Sequence, residues 1–163
     1  MSLTQIIRPF LLKRLHALDL YTSRAEDLQR NALQRLVDRA AGTQWGEQHN
    51  YARIRSYEDF AKSQPVHTYE ELKGYIDRMR QGEKDLLWPG VVKWYAKSSG
   101  TTNDKSKFIP VSKDGLKDTH YRGGTDAVVW YLRNNPQSRI FDGRALILGG
   151  SHAPNYNLKS SLV

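Results

Sequence analysis

Residues 98–107 read SSGTTNDKSK, a run in which nearly every side chain is hydroxylic, amidic or charged. Backbone N–H groups in a tight Gly/Ser/Thr loop can converge on phosphate oxygens, and the hydroxyl groups add further donors. Gly100 permits a close approach of the backbone, and Lys105 and Lys107 bring charge that acts on phosphate as a point charge. The run is therefore a candidate polyphosphate-binding loop, although its composition also suits a solvated hairpin loop.

The run does not follow the P-loop pattern. Counted from Gly100, the Lys-Ser pair arrives one residue early and the second glycine is absent. The residues that follow, Phe-Ile-Pro-Val, favour a strand, whereas a P-loop lysine opens a helix. A loop between two strands that folds over a triphosphate fits this pattern better than a P-loop NTPase.

Helix signals dominate the first half of the chain. An amphipathic apolar spacing indicates an N-terminal helix, capping-box patterns start helices at Ser23 and Thr68, and Gly42 and Gly82 mark their ends. A further short helix begins at Ser56.

Strand signals appear after residue 90. Residues 91–96 and 107–111 predict two strands on either side of the polar run, and a long helix follows from Ser112. The apolar run 145–148 predicts a buried strand. We therefore expect an α/β fold in a single domain, mainly helical over 1–82 and strand-loop-strand, helix and strand over 91–150.

Composition excludes several kinds of site. The chain has 163 residues and no cysteine, which excludes disulfides, thiolate metal sites and a cysteine nucleophile. Its five histidines lack metal-ligand spacing, and no GxSxG motif occurs. Gly149, Gly150 and Ser151 follow the predicted last strand and either line a substrate pocket or form an ordinary turn.

The net charge of +8 has three interpretations. It suits an anionic ligand or a solvated basic surface, and it leaves open a non-catalytic basic module that binds nucleic acid or a partner protein. No run of five or more Lys and Arg occurs, so nucleic acid is not expected. No stretch is long enough to span a bilayer and no signal peptide is recognisable, so we expect a cytoplasmic protein.

The sequence SSGTT followed by KFIPVS resembles the ATP-binding motif of adenylate-forming enzymes, and more narrowly the auxin-responsive acyl acid–amido synthetase family. That family comprises plant hormone-conjugating enzymes and bacterial relatives. Four other segments are similar to its N-terminal portion: residues 43–46, 57–83, 86–102 and 141–151.

This resemblance implies an ATP- and Mg²⁺-dependent ligase with a large N-terminal α/β domain and a mobile C-terminal domain. A carboxylic acid would be adenylated with release of pyrophosphate, and the amine of an amino acid would then displace AMP. No residue would act as a covalent nucleophile. The residues implied along the ATP phosphates are Ser98, Ser99, Gly100, Thr101, Thr102 and Lys107, with further contacts from Asn103 and Lys105.

Two departures from the family pattern follow. Asp104 stands where the family commonly has glycine, which places a carboxylate beside the expected triphosphate. The family's members are several hundred residues long, so we expect residues 1–163 to form one incomplete N-terminal domain without the C-terminal domain. Such a fragment is expected to be inactive in the full reaction and to self-associate through exposed apolar surface.

Overall fold

The computed structural model describes residues 2–98 and 107–146. Helices precede a small sheet, and further helices follow it. The elements are α1 (Leu3–Leu12), α2 (Leu15–Ser23), α3 (Ala25–Ala40), α4 (Gln44–Gln48), a 3₁₀ turn (Tyr51–Arg53), α5 (Tyr57–Ser63), α6 (Tyr69–Arg80), β1 (Trp94–Lys97), β2 (Phe108–Val111), α7 (Lys113–Gly115), a π-helical segment (Leu116–Tyr121) and α8 (Arg122–Asn134). Within the described residues none of these helices is long and apolar enough to cross a membrane.

Local capping signals account for two helix starts. Thr68 and Glu71 form the predicted capping box of α6, because each side chain accepts the backbone N–H of the other residue. Ser56 and Asp59 do the same at α5. The box predicted at Ser23 is wrong, because Ser23 ends α2 and its hydroxyl donates to the carbonyl of Asp19.

The described residues fall into two compact units, of which the first contains residues 2–25 and 114–146. Leu18 of α2 and Val129 and Leu132 of α8 are buried in it. The guanidinium of Arg14 donates two hydrogen bonds to the carboxylate of Asp126, at 2.7 and 3.1 Å. This bidentate pair raises the pKa of Arg14, chiefly through the hydrogen bond, and ties the α1–α2 junction to α8.

Asp142 links the N-terminus of α1 to the residues that follow α8. Its Oδ1 accepts hydrogen bonds from the backbone N–H and the hydroxyl of Thr4, at 2.9 and 3.0 Å, and its Oδ2 accepts from Arg139 at 2.7 Å. These bonds to the charged form hold the pKa of Asp142 well below its ordinary value, with the Arg139 bond as the largest cause. The carboxylate also sits at the N-terminus of α1, where negative charge is favourable.

A pH-dependent stability follows from Asp142. Since its folded pKa is lower than its unfolded value of about 3.9, its contribution is present above that value and is lost as the pH falls towards the folded pKa. We expect Asp142→Asn to lower the thermal midpoint at pH 7 and to flatten its decline below about pH 4. Thermal melts from pH 7 to pH 2 measure this, and parallel wild-type and variant curves would contradict it.

The second unit contains residues 26–98 and 107–113. Met79 of α6, Leu86 and Val92 are buried together, and Tyr95 of β1 packs against them. The start of α4 is held by backbone hydrogen bonds, because Gln44 N–H donates to Asp85 at 2.8 Å and Trp45 N–H donates to Leu86 at 3.0 Å. The core of this unit therefore supports α4, α6 and the sheet.

The two strands pair antiparallel, with Trp94 opposite Val111 and Lys97 opposite Phe108. Both predicted strands are confirmed, with β1 beginning three residues later than expected. Beyond the strand ends Ser98 N–H donates to the Lys107 carbonyl at 2.9 Å. Because hydrogen-bonded pairs alternate with non-hydrogen-bonded pairs, Pro110 occupies a non-hydrogen-bonded position opposite Tyr95. A proline, which lacks an N–H, is tolerated there.

The described part of the run 145–148, for which a buried strand was predicted, is not a strand. Ala145 and Leu146 have no regular structure, and Leu146 is 88% exposed. An apolar run becomes a buried strand only where a neighbouring strand satisfies its backbone groups, and the described residues contain only β1 and β2. Ile147 and Leu148 lie outside the described residues.

Candidate phosphate-binding hairpin

Ser98 and Lys107 meet at the base of the hairpin. In addition to the bond from Ser98 N–H to the Lys107 carbonyl, Lys107 N–H donates to the hydroxyl oxygen of Ser98 at 3.1 Å. The serine hydroxyl therefore acts as an acceptor within the hairpin, and no described residue accepts its own proton. Two residues predicted to contact phosphate, nine positions apart, are thus brought together by the strand pairing.

The two faces of the hairpin differ in character. Residues opposite one another share a face and successive residues alternate, so Ser98 and Lys107 lie on one face while Lys97 and Phe108 lie on the other. The Lys107 ammonium lies 5.5 Å from the centre of the Tyr69 ring. Within the described residues it has no carboxylate partner within ion-pair distance, so its charge can serve an anion.

The Phe108 face packs on α6. The guanidinium of Arg80 lies 3.8 Å from the centre of the Phe108 ring, and Tyr95 lies on the same face. Burial raises the pKa of Tyr95, and the positive charge of Arg80 opposes that rise. Arg80 Nε and Tyr95 Oη are buried, and neither has a hydrogen-bond partner among the described residues.

The backbone of β2 is also held from α6. The N–H of Phe108 donates to the hydroxyl of Tyr69 at 3.1 Å. The sequence analysis singled out neither Tyr69 nor Arg80. A local pattern shows that they belong to an amphipathic helix, but it carries no signal for contacts with residues 28 or more positions away.

The remaining predicted site residues lie outside the described residues. These are Ser99, Gly100, Thr101, Thr102, Asn103, Lys105, Gly149, Gly150 and Ser151, and Asp104 lies there as well. The structure therefore describes the base of the predicted loop, and the roles of these residues stay predictions.

Two histidines of the second unit pack against aromatic rings. His49 stacks on Trp45 with ring centres 4.0 Å apart, and His67 meets the edge of the same tryptophan at 4.9 Å. In the part of the chain that the structure describes, no group of three or more His, Asp or Glu side chains could hold a metal ion.

The donor chemistry at the hairpin base fits an anionic phosphate ligand. Among residues 2–98 and 107–146, the hydroxyl proton of Ser98 has no acceptor and the ammonium of Lys107 has no carboxylate partner, and both residues lie on one face of the sheet. Phosphate oxygens take such donors, and charge-assisted hydrogen bonds to them are stronger than neutral ones.

Comparison with known proteins identifies the family. The family model described as "GH3 family N-terminal domain" matches residues 14–157, and the chain belongs to the GH3 family. The resemblance expected from the SSGTT run and its flanking segments is therefore confirmed.

Curated relatives are amido synthetases. Indole-3-acetic acid-amido synthetase GH3.6 of Arabidopsis thaliana is 29% identical over 58% of this chain and 16% of its own length. Jasmonoyl–L-amino acid synthetase JAR4 of Nicotiana attenuata is 25% identical over 78% of this chain and 22% of its own length. The chain thus spans less than a quarter of the length of these relatives.

A solved structure supports the fold. The structure of "AtGH3.15 acyl acid amido synthetase in complex with 2,4-DB" superposes with a TM-score of 0.64 at 26% sequence identity. The superposition covers 73% of this chain and 21% of the chain in the solved structure. The mixed helical fold with its small two-stranded sheet is therefore similar to part of an acyl acid amido synthetase.

Proposed function

We propose that this chain is the N-terminal portion of an ATP-dependent acyl acid–amido synthetase. Family membership supports the class of reaction, since the relatives are named indole-3-acetic acid-amido synthetase and jasmonoyl–L-amino acid synthetase. The observation that carries the proposal for this chain is the pairing of Ser98 with Lys107 at the base of the SSGTT run. The substrates would be a small carboxylic acid, ATP and an amino acid.

Ser98 and Lys107 would bind and neutralise the phosphate chain. The hydroxyl of Ser98 would donate to a phosphate oxygen, and the ammonium of Lys107 would offset the negative charge that develops on pyrophosphate as the acid carboxylate attacks the α-phosphorus. This role is one of positioning and electrostatic stabilisation. Mg²⁺ would be held mainly by the phosphates and water, as is usual for nucleotide-bound magnesium.

The loop residues Ser99, Gly100, Thr101 and Thr102 complete the proposed phosphate site on the strength of the resemblance. Asn103 and Lys105 would add contacts at its far end. The pocket proposed for Gly149, Gly150 and Ser151 would receive the acyl acid.

The complete reaction is not expected from these residues alone. The chain spans 16% to 22% of the length of the relatives it matches, and a two-step ligation needs acid and amine sites as well as a phosphate site. We therefore expect no ATP–pyrophosphate exchange from the 163 residues with any carboxylic acid. Exchange above background would contradict this.

The alternative of a basic nucleic-acid module receives no specific support. Several of the basic side chains are paired with carboxylates, which reduces the free positive charge on the surface. These pairs are Arg14–Asp126, Lys73–Asp77, Arg78–Glu83, Arg122–Asp118, Arg133–Asp19 and Arg139–Asp142. A nucleic-acid surface would need that charge for phosphate contacts.

Calorimetric titration with Mg-ATP tests the phosphate site. We expect saturable binding by the wild type and a loss of about tenfold to a hundredfold in affinity for Lys107→Ala, because a hydrogen bond to a charged group contributes about 1.5–3 kcal/mol. Lys97→Ala is the matched control, since Lys97 is an exposed lysine on the opposite face of the same hairpin.

The Lys97→Ala control distinguishes a general effect of positive charge on the hairpin from a specific contact made by Lys107. If Lys97→Ala weakens binding as much as Lys107→Ala does, the hairpin acts only through general charge and the proposed role of Lys107 is wrong. The absence of saturable binding by the wild type would contradict a phosphate site that works within these residues.

A further inference from the structure

Helix α6 holds the residue next to Lys107 from two sides. At its first residue, Tyr69, the hydroxyl accepts the N–H of Phe108 at 3.1 Å. At its last residue, Arg80, the guanidinium lies 3.8 Å from the centre of the Phe108 ring. Phe108 is thus bound through its backbone by one end of α6 and through its side chain by the other.

The backbone contact satisfies a group that the sheet leaves unpaired. Phe108 stands opposite Lys97 in a non-hydrogen-bonded pair, so its N–H points away from β1. An unpaired strand edge is free to twist or to pair elsewhere. The Tyr69 hydroxyl removes that freedom one residue away from Lys107.

The Tyr69 ring also contacts Lys107 itself. Its centre lies 5.5 Å from the ammonium nitrogen, within the range of a cation–π interaction. One tyrosine therefore meets the backbone of Phe108 with its hydroxyl and the side chain of Lys107 with its ring.

Arg80 is held mainly by the ring that it covers. Its side chain is 18% exposed, and its carboxylate partner Asp77 lies 3.5 Å away and also pairs with Lys73. Its Nε has no hydrogen-bond partner among the described residues. Because this guanidinium is largely desolvated and weakly paired, its contact with the flat face of the Phe108 ring is its main stabilising interaction.

We propose that Tyr69 and Arg80 are positioning residues that hold Phe108 between them and thereby fix the direction in which Lys107 presents its ammonium group. The nucleotide part of this inference rests on the proposed function, whereas the geometric part does not. Neither residue is required to touch the nucleotide. Their effect passes through Phe108 and, for Tyr69, also through the ring beside Lys107.

Solution NMR of the full chain tests the geometric part. In Tyr69→Phe the ring beside Lys107 is kept and only the hydroxyl is lost. We expect the Phe108 amide to exchange with solvent about tenfold faster, while the Ile109 amide, which faces β1, keeps its rate. Tyr57→Phe is the control, since Tyr57 is 69% exposed.

Substitutions at Arg80 that remove or keep its positive charge test the role of this arginine. The Tyr69 ring, 5.5 Å from the Lys107 ammonium, should shift the ε-methylene resonance of Lys107. In Arg80→Met we expect that resonance to move towards the value of a free lysine. Arg80→Lys keeps a cation above the Phe108 ring and should restore part of the wild-type shift. Arg78→Met, which removes an arginine of the same helix that bonds to Glu83 and Gln44, should leave the resonance unchanged.

Mg-ATP affinity tests the functional part. We expect Tyr69→Phe and Arg80→Met each to raise the dissociation constant by about tenfold, with partial recovery in Arg80→Lys. Unchanged Phe108 exchange and an unchanged Lys107 resonance in both variants would overturn the inference. Normal Mg-ATP affinity in both variants would also overturn it, provided that Lys107→Ala weakens binding by the expected tenfold or more.

The two proposals fail in different ways. If the wild type does not bind Mg-ATP, the nucleotide site proposed above fails for this chain. The exchange rate of Phe108 and the resonance of Lys107 still decide whether Tyr69 and Arg80 position the hairpin.

Discussion

Gly46→Ala is expected to lower the free energy of unfolding by about 3 kcal/mol, at the upper end of the cost of overpacking. A Cβ at this position would lie 2.1 Å from the carbonyl oxygen of Ala40 and 2.9 Å from its carbon. Both are backbone atoms, so no side-chain rotation can relieve the clash. The preceding turn or α4 would have to move.

That movement is opposed by the hydrogen bonds around the turn. The hydroxyl of Thr43, which is 1% exposed, donates to the Ala40 carbonyl at 2.7 Å and accepts the Gly46 N–H at 3.0 Å. The next two N–H groups, of Gln44 and Trp45, bond to the segment that contributes Leu86 to the core. Shifting α4 would therefore break several buried hydrogen bonds, each costly to leave unmade.

Gly42→Ala is the matched control, because Gly42 lies four residues earlier, in the turn before α4. Nothing lies within 4 Å of the position that its Cβ would take. We expect its unfolding free energy to stay within about 0.5 kcal/mol of the wild type. Urea denaturation of both variants measures the difference, and equal midpoints would show that the backbone relaxes at no cost.

Thr4→Val is expected to cost about 2 kcal/mol or more, although valine has nearly the shape of threonine. Thr4 is 1% exposed, and its hydroxyl accepts the N–H of Phe141 at 2.9 Å while donating to Asp142 at 3.0 Å. Removal of the hydroxyl leaves a buried N–H without its acceptor and takes one hydrogen bond from a carboxylate.

The conservative variant separates the hydroxyl from the packing. Thr4→Ser keeps the oxygen and loses one methyl group, so we expect it to retain most of the stability, at a cost of about 1 kcal/mol. Thermal and urea unfolding of the two variants give the comparison. A larger loss for Thr4→Ser than for Thr4→Val would mean that packing, and not the hydroxyl, stabilises this joint.

At these two sites, tertiary contacts show the structural role of segments that the sequence singles out only by their resemblance to the family. Residues 43–46 and 141–144 belong to the stretches similar to the acyl acid–amido synthetase family. In the structure the first is the capped first turn of α4, where a side chain at Gly46 would clash with backbone atoms. The second supplies the carboxylate of Asp142, which accepts the N–H of Thr4 near the N-terminus of α1. Each is a structural part of its own compact unit.

Local chemistry by itself determined the elements that form from neighbouring residues. The Thr68–Glu71 capping box starts α6, and Gly82, with a φ of 92°, follows its end. The β-branched and aromatic residues on either side of the SSGTT run form the predicted hairpin, and its register places Ser98 beside Lys107. Propensity, capping and strand pairing across a short loop act within a few residues, so a pattern in the sequence can reveal them.

Tertiary structure alone decided the contacts that cross long stretches of chain. The expected N-terminal helix is divided into α1 and α2, and Arg14 at the break bonds to Asp126, 112 positions away. Tyr69 and Arg80 reach Phe108, and the apolar run 145–148 has no strand in its described part. These outcomes depend on which surfaces meet once the chain is compact, and no spacing within a helix or strand encodes them.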